Sequence, residues 1–397
     1  MAISKGSGKQ KFILPIIIFS QFAGTSLWFA GNAVLPDLID TYGFSPEDLG
    51  AITSAVQFGF ILGTLIFALL MVADSYSPSK VFFACSALGS FINLVPLFVP
   101  ITLELMLPQR AFVGFLLAGI YPVGMKIAAD WHQKSLGKAL GFLVGALVLG
   151  TGFPHLIKYL GAGLQFEKVL VAISILSFIG GLLILVFVPN GPYRKQGSKF
   201  KINAIKVLFN NKKLKWAAMG YFGHMWELYT FWALVPLIIS IYSEMELGNP
   251  TVSLISFCAI SVGFLGCAVG GLLALKKGSG KVAFSQLLGS AICICLTPAI
   301  MWMPEVIFYP YLLIWGVLVI GDSPQFSTLA AKSAPPELVG SALTLMNSIG
   351  FALTIPSILL LNYLFATYNH PAVLLALLPG PIIGLVNTRQ LLLRRPS

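Results

Sequence analysis

"NGPYRKQGSKFKINAIKVLFNNKKLK", residues 190–215, carries eight lysines and arginines and no acid, in a chain of 397 residues that is otherwise strongly apolar. The whole sequence is 57% hydrophobic and 10% charged, with a mean hydropathy of +0.88. A soluble globular domain carries about 25% charged residues, so the composition reads as an integral membrane protein. A helix crossing the roughly 30 Å apolar core of a bilayer needs about 20 apolar residues. Such stretches occur on both sides of the quoted segment, six before it and six after it. The expected spans are 13–36, 50–72, 81–100, 106–128, 139–161, 168–189, 216–240, 252–275, 282–303, 308–331, 340–364 and 372–390. The fold class that follows is all-α and membrane-integral: twelve transmembrane helices in two six-helix bundles, residues 1–189 and 216–397, joined by a basic linker at 190–215.

The basic start "MAISKGSGKQK" leads into an apolar stretch too long for a signal-peptide core and lacks a small-residue cleavage site, so the first span is expected to stay. Lysine and arginine concentrate on cytoplasmic loops. With the N-terminus inside, Lys5, Lys9, Lys11, Lys80, Lys134, Lys138, the cluster from Arg194 to Lys215, Lys276, Lys277, Lys281, Lys332, Arg389, Arg394 and Arg395 share one face. Only Arg110, Lys158 and Lys168 lie towards the other, where Asp37, Asp40, Glu47, Asp48, Glu104, Glu167, Glu244, Glu246 and Glu305 gather. Both termini are therefore expected in the cytoplasm of a multi-pass protein of the cytoplasmic (inner) membrane. The net charge of +11 follows from this topology and calls for no nucleic-acid partner. The five cysteines, at 85, 258, 267, 293 and 295, fall within apolar spans and read as small core residues; Cys293 and Cys295 are two apart, on nearly opposite sides of a helix, which suits neither a metal site nor a disulfide.

The two halves resemble each other. "AGIYPVGMKIAAD" aligns with "VIGDSPQFSTLAAKS", pairing Pro122 with Pro324 and Ala128 with Ala330, each 202 residues apart (324 − 122; 330 − 128). Pro36 and Pro236 are 200 apart, and Gly137 and Gly340 are 203 apart. Parallel six-span repeats joined by a cytoplasmic linker are the pattern of transporters that rock two bundles about a site near the midplane.

The loop after the second span, "LLMVADSYSPSKVFF", and the loop after the eighth, "GGLLALKKGSGKVAF", look like two copies of one motif. Both are similar to the G-x-L-A-D-R-x-G-R-K loop of the major facilitator superfamily, with Asp74 and Lys80 kept in the first copy and Gly271, Lys276, Gly278 and Lys281 in the second. Leu70, Ser75 and Ser77 depart from it in the first copy and Leu275 in the second. Arg110 and Gly114 in "QRAFVGF" match the R-x-x-x-G of the family's fourth span. The resemblance implies a secondary transporter in which spans one, four, seven and ten line a central cavity. It also implies a gating role for Asp74 and Lys80, which would hold the outward-open form.

Against that frame "GYFGHMWELYTFWALVP", residues 220–236, gains a meaning. Glu227 lies near the centre of span seven, with His224 one turn before it, and Asp322 lies near the middle of span ten. A charge at that depth costs at least about 2.5 kcal/mol on insertion scales, so such residues face an aqueous path or a partner. Glu227 reads as the principal proton-linked acid; the plainer alternative is a protonated glutamate bonded to a neighbouring helix. Asp322, with Ser323 and Gln325, reads either as a binding group or as a polar helix break before Pro324. His224 reads as a packing residue with a proton-relay role left open.

Arg110 offers either a fork for a carboxylate or phosphate, or a side chain that snorkels to the outer interface. Lys126 and Asp130, four apart, are expected to form an exposed pair. Trp28, Tyr121, Trp226, Tyr229 and Trp232 sit at cavity depth, where stacking on a ring-bearing or cationic solute competes with plain packing. Arg110, Tyr121, Trp28, Tyr229 and Gln325 form the expected substrate-binding set. The glycines of "GFLVGALVLGTGFPHLIKYLG" argue for close helix packing in span five.

Arginines are missing from spans one, two, seven and eight, which sets the sequence apart from the family's nitrate and organophosphate porters. The expected cargo is a cationic, zwitterionic or neutral organic solute, with protons as coupling ion and sodium as the alternative. A multidrug exporter and a ligand-binding relative that transports nothing are the competing readings. Histidines at 132, 155, 224 and 370 form neither a nucleophile–base pair nor a ligand cluster, and no P-loop occurs, so neither an enzyme nor an ATP-driven pump is expected. No cofactor is expected, and a monomer is.

Overall fold

The computed structural model describes residues 7–133, 136–161, 165–194 and 203–393, and all its regular elements are helical. Among the described residues, twelve helices are long and apolar enough to cross a membrane: α1 (Phe12–Tyr42), α2 (Asp48–Leu69), α3 (Pro78–Leu97), α4 (Leu103–Trp131), α5 (Ala139–Leu160), α6 (Phe166–Phe187), α7 (Lys212–Ser243), α8 (Pro250–Lys277), α9 (Ser279–Ile300), α10 (Glu305–Ser333), α11 (Pro336–Tyr368) and α12 (Pro371–Leu392). Number and order agree with the sequence, while several ends do not. The largest difference is at α1, which continues past Pro36 for six residues. A proline removes one hydrogen bond without ending a helix that neighbours support. The end comes at Gly43, whose φ of +72° turns the chain so that the next N–H, of Phe44, closes on Leu38 O.

The segment 190–215 is not linker throughout. Its described part forms a short helix, Ala204–Asn210, and α7 starts at Lys212, where the Asn211 side chain accepts from Leu214 N at 3.2 Å. Of the basic residues that orient the sequence, Lys5, Lys134, Lys195, Lys199, Lys201, Arg394 and Arg395 lie outside the described residues. We call the face bearing this segment the linker face and the opposite one the far face.

Helices α2 and α4 touch backbone to backbone, because any Cβ on Gly59 or Gly114 would overlap Ala111 O or Val56 O. The second half repeats the contact between α8 and α10, where Gly266 and Gly316 stand against Val317 O and Ala259 O. Gly114 and Gly316 are 202 apart (316 − 114), the offset of the proline landmarks. The halves meet along α2 with α11 and along α5 with α8. In α5, Gly145 lies under the Phe264 ring, Gly152 under Ile260 and Ser261, and Gly150 against Phe22 O of α1, as small-residue packing requires; Gly141 faces open space.

Among the described residues, four of the long helices are split into two α-helical pieces: α1 at 26–29, α4 at 118–120, α8 at Val262 and α10 at Asp322. The α1 break begins at two hydroxyl residues. Thr25 and Ser26 turn their hydroxyls back onto Gln21 O (2.8 Å) and Ala23 O (2.7 Å), competing with the main-chain ladder. In α10, Pro324 two residues after Asp322 supplies no N–H, so the second half starts anew there. Cys85, Cys267 and Cys293 are buried, but Cys258 and Cys295 are exposed on outward helix faces, correcting the reading of all five as core. An apolar thiol is tolerated there as well as inside.

Candidate functional site

His224 and Asp322 meet between α7 and α10. His224 Nδ1 lies 2.7 Å from Asp322 Oδ1, and both side chains are fully buried. The contact misses hydrogen-bond direction, so neither nitrogen of His224 and neither oxygen of Asp322 has a hydrogen-bond partner among the described residues. His224 is 12 residues into α7 (224 − 212), about 18 Å from its linker end at 1.5 Å per residue. Asp322 is 11 residues from the linker end of α10 (333 − 322), about 17 Å. The pair is thus near the middle of an apolar core of about 30 Å. Buried polar atoms without partners call for an explanation, and a proton, water or ligand handled at mid-depth is one that suits an acid beside a histidine. Ser323 and Pro324, next along α10, and Tyr121 at the α4 break are partly exposed; Gln325, one turn on from Asp322, is buried. The Tyr221 ring lies 5.8 Å from that of His224.

Glu227 turns to a different neighbour. Its Oε2 accepts from Ser290 Oγ of α9 at 2.8 Å, and Ser290 Oγ accepts from Trp315 Nε1 of α10 at 3.2 Å. The carboxylate is fully buried inside the second half, with Oε1 unpartnered. The two acids therefore occupy separate environments, one beside a histidine and one beside a hydroxyl.

Arg110 neither snorkels nor points at open space. It is 1% exposed, and its guanidinium reaches across to the α1 break, where Nη2 donates to Leu27 O (2.7 Å) and Trp28 O (2.8 Å). Nη1 donates to Asn93 Oδ1 at 3.1 Å. One guanidinium nitrogen thus serves two adjacent carbonyls freed by a broken helix while the other holds Asn93. Gly31 leaves room for it; a Cβ there would stand 3.1 Å from Arg110 Nε.

The residue so clamped, Trp28, belongs to an aromatic cluster that joins the halves. Its ring lies 4.7 Å from Phe60, 5.6 Å from Tyr229 and 5.7 Å from Phe351, and Phe60 and Phe351 are 4.5 Å apart. Phe29 and Trp232 extend the cluster around Tyr229. Trp28 and Tyr229 are buried in these contacts. Trp226 stands apart, donating to Ala376 O of α12 at 3.2 Å.

At the far face Lys158 pairs with Asp37 within the first half, and Asn362 Nδ2 donates to Glu47 O across the halves. At the linker face Asp74 lies 2.8 Å from Lys126, whose distance to Asp130 is 3.9 Å. Lys126 is thus nearer to Asp74 than to the Asp130 expected from spacing, and the group is partly buried, because the fold lays the α2–α3 loop beside α4. Arg194 donates to Asp74 O (2.9 Å) and Tyr76 O (2.8 Å). Lys80 is exposed.

Sequence reading missed the His224–Asp322 pairing, the Ser290 and Trp315 partners of Glu227, and the Arg110 clamp. It also passed over Gln21 and Gln57, fully buried amides without hydrogen-bond partners in α1 and α2; a glutamine within an apolar span was the available signal.

The solved structures that this chain resembles include a variant of the nucleoside transporter NupG, at 16% identity and a TM-score of 0.70, covering 96% of this chain and 99% of that one. They also include a bacterial homologue of the human lysosomal transporter Spinster, in an inward-facing and unoccupied conformation, at 15% identity and a TM-score of 0.67, covering 98% and 96%. At such identities the likeness shows the fold alone. No curated protein matches the chain by sequence. The sequence model of the Major Facilitator Superfamily, in contrast, matches residues 17–357. Twelve apolar helices in this arrangement and that match together make the chain a member of the major facilitator superfamily of secondary transporters.

Proposed function

We propose that the chain carries a small cationic, zwitterionic or neutral organic solute by alternating access, coupled to protons, with residues 1–189 and 216–397 as the two moving bundles. The linker face is cytoplasmic in this reading, and the membrane is the cytoplasmic one. The observation that carries it is the buried His224–Asp322 pair at mid-depth beside the partly exposed α10 break. With a proton on the imidazole the two are an ion pair; without it a lone carboxylate is left buried, at a cost of several kcal/mol. Loading and unloading that proton therefore biases which face can open. Glu227, held by Ser290, is the second acid of the same bundle. The Asn362–Glu47 contact and the Trp28 cluster support a conformation closed on that side, in which solute would enter from the linker face past Tyr121 and Gln325.

Nucleosides, the cargo named for one structural neighbour, fall in the neutral organic class and are the first compounds to test. The purified protein is screened for thermal stabilisation by nucleosides, amines and amino acids, and any hit is added to proteoliposomes with a pH dye trapped inside. Solute-dependent proton movement supports the proposal. Solute flux with no proton movement, at any imposed gradient, contradicts the coupling.

A further inference from the structure

The short helix Ala204–Asn210 has two unlike faces. Ala204 and Leu208 are fully buried against α7 and α11. The helix is also tied down at its end, where Asn211 Nδ2 donates to Ser333 O at 2.9 Å and Asn211 Oδ1 caps α7. Its other face is bare: Ile205 is 42% exposed and Phe209 48%, one turn apart, with exposed Lys206 between them. Exposed Lys212, Lys213 and Lys215 follow at once, and no acid occurs from residue 190 to 226. A fixed helix that leaves two large apolar side chains in water gains nothing from them, and four lysines beside them repel one another.

Both features are relieved by one kind of surface. Apolar side chains flanked by lysines lie at the boundary of a bilayer, the former among acyl chains and the latter at anionic headgroups. The height is right, because the short helix ends at Asn210, within two turns of Trp216, where the apolar stretch of α7 begins. We propose that this helix is a lipid-binding element, seating Ile205 and Phe209 in the linker-side leaflet and gathering anionic phospholipid around Lys206, Lys212 and Lys213. Because it packs on α7 and α11 and is tied through Asn211 to the end of α10, lipid held there would anchor the second half during transport.

The test uses the full-length protein in detergent, with phosphatidylglycerol, phosphatidylcholine or soluble glycerol 3-phosphate added, and reads the thermal unfolding midpoint. The expected result is a rise with phosphatidylglycerol that exceeds the rise with phosphatidylcholine, with none from glycerol 3-phosphate. Replacing Lys206, Lys212 and Lys213 together by glutamine removes the preference for phosphatidylglycerol; Ile205→Ser with Phe209→Ser weakens the response to both lipids. Should the triple variant fold poorly, Lys206→Gln alone is compared, with a smaller loss of preference expected. Equal midpoints with the two lipids, an undiminished preference in the lysine variants, or an equal effect of glycerol 3-phosphate would each overturn the proposal.

Discussion

Replacing Arg110 by lysine keeps a positive charge and removes a fork. The guanidinium makes three hydrogen bonds, to Leu27 O, Trp28 O and Asn93 Oδ1, at 2.7, 2.8 and 3.1 Å. A lysine has one head nitrogen, on a shorter reach, where the guanidinium uses two, so it loses the Asn93 bond or the pair to Leu27 O and Trp28 O. Bonds to charged groups contribute about 1.5–3 kcal/mol each, so losing one or two costs about 1.5–6 kcal/mol, which at 1.4 kcal/mol per factor of ten is roughly 10- to 10⁴-fold. The loss falls on the link between α3, α4 and the α1 break, and on Trp28, whose ring bridges the halves. Arg110→Lys should therefore lower the thermal midpoint in detergent. It should also lengthen the far-face distance between spin labels at residues 40 and 246, in protein whose native cysteines have been replaced. Affinity should fall alike for all solutes. An unchanged midpoint and distance would refute the clamp, and a loss confined to solutes bearing a carboxylate or phosphate would return the guanidinium to the substrate.

Gly316→Val drives a side chain into Ala259 O and should separate α8 from α10, at a cost of about 1–3 kcal/mol or more, seen as a lower midpoint; an unchanged midpoint would mean the contact relaxes freely. Asp74→Asn removes the charge facing Lys126 at 2.8 Å; a partly exposed pair contributes at most about 1 kcal/mol. It should shift the linker-face distance distribution only modestly, and no shift at all would deny Asp74 a gating role. Glu227→Gln keeps an oxygen that accepts from Ser290, so the fold should persist and proton-driven accumulation should fall less than with Asp322→Asn. The reverse order would make Glu227 the coupling acid.

Twelve spans were legible because crossing a bilayer imposes a length and a composition that few other structures share. Helix ends were less so: α1 runs to Tyr42 and α7 starts at Lys212, because helices continue into water, where apolarity no longer marks them. The duplication showed in prolines and alanines, yet its structural core, Gly114 and Gly316 at one offset, became visible only as backbone contacts. At the site, the residue types were readable and their partners were not. His224 and Asp322 are 98 residues apart (322 − 224), and no periodicity says which side of α7 meets the α10 break. Arg110 was open between two roles because the carbonyls it serves are free only once α1 is broken, and no proline in residues 22–30 announces that break.

The central claim is that the buried pair between α7 and α10 carries the coupling proton, and a paired flux measurement on Asp322→Asn tests it most directly. Asparagine keeps the size of the side chain but cannot hold a negative charge opposite His224. In proteoliposomes loaded with the solute found by screening, exchange at equal pH should stay near the wild-type rate, while accumulation driven by a proton gradient should vanish. Accumulation by Asp322→Asn at the wild-type level, with exchange intact, would contradict the account.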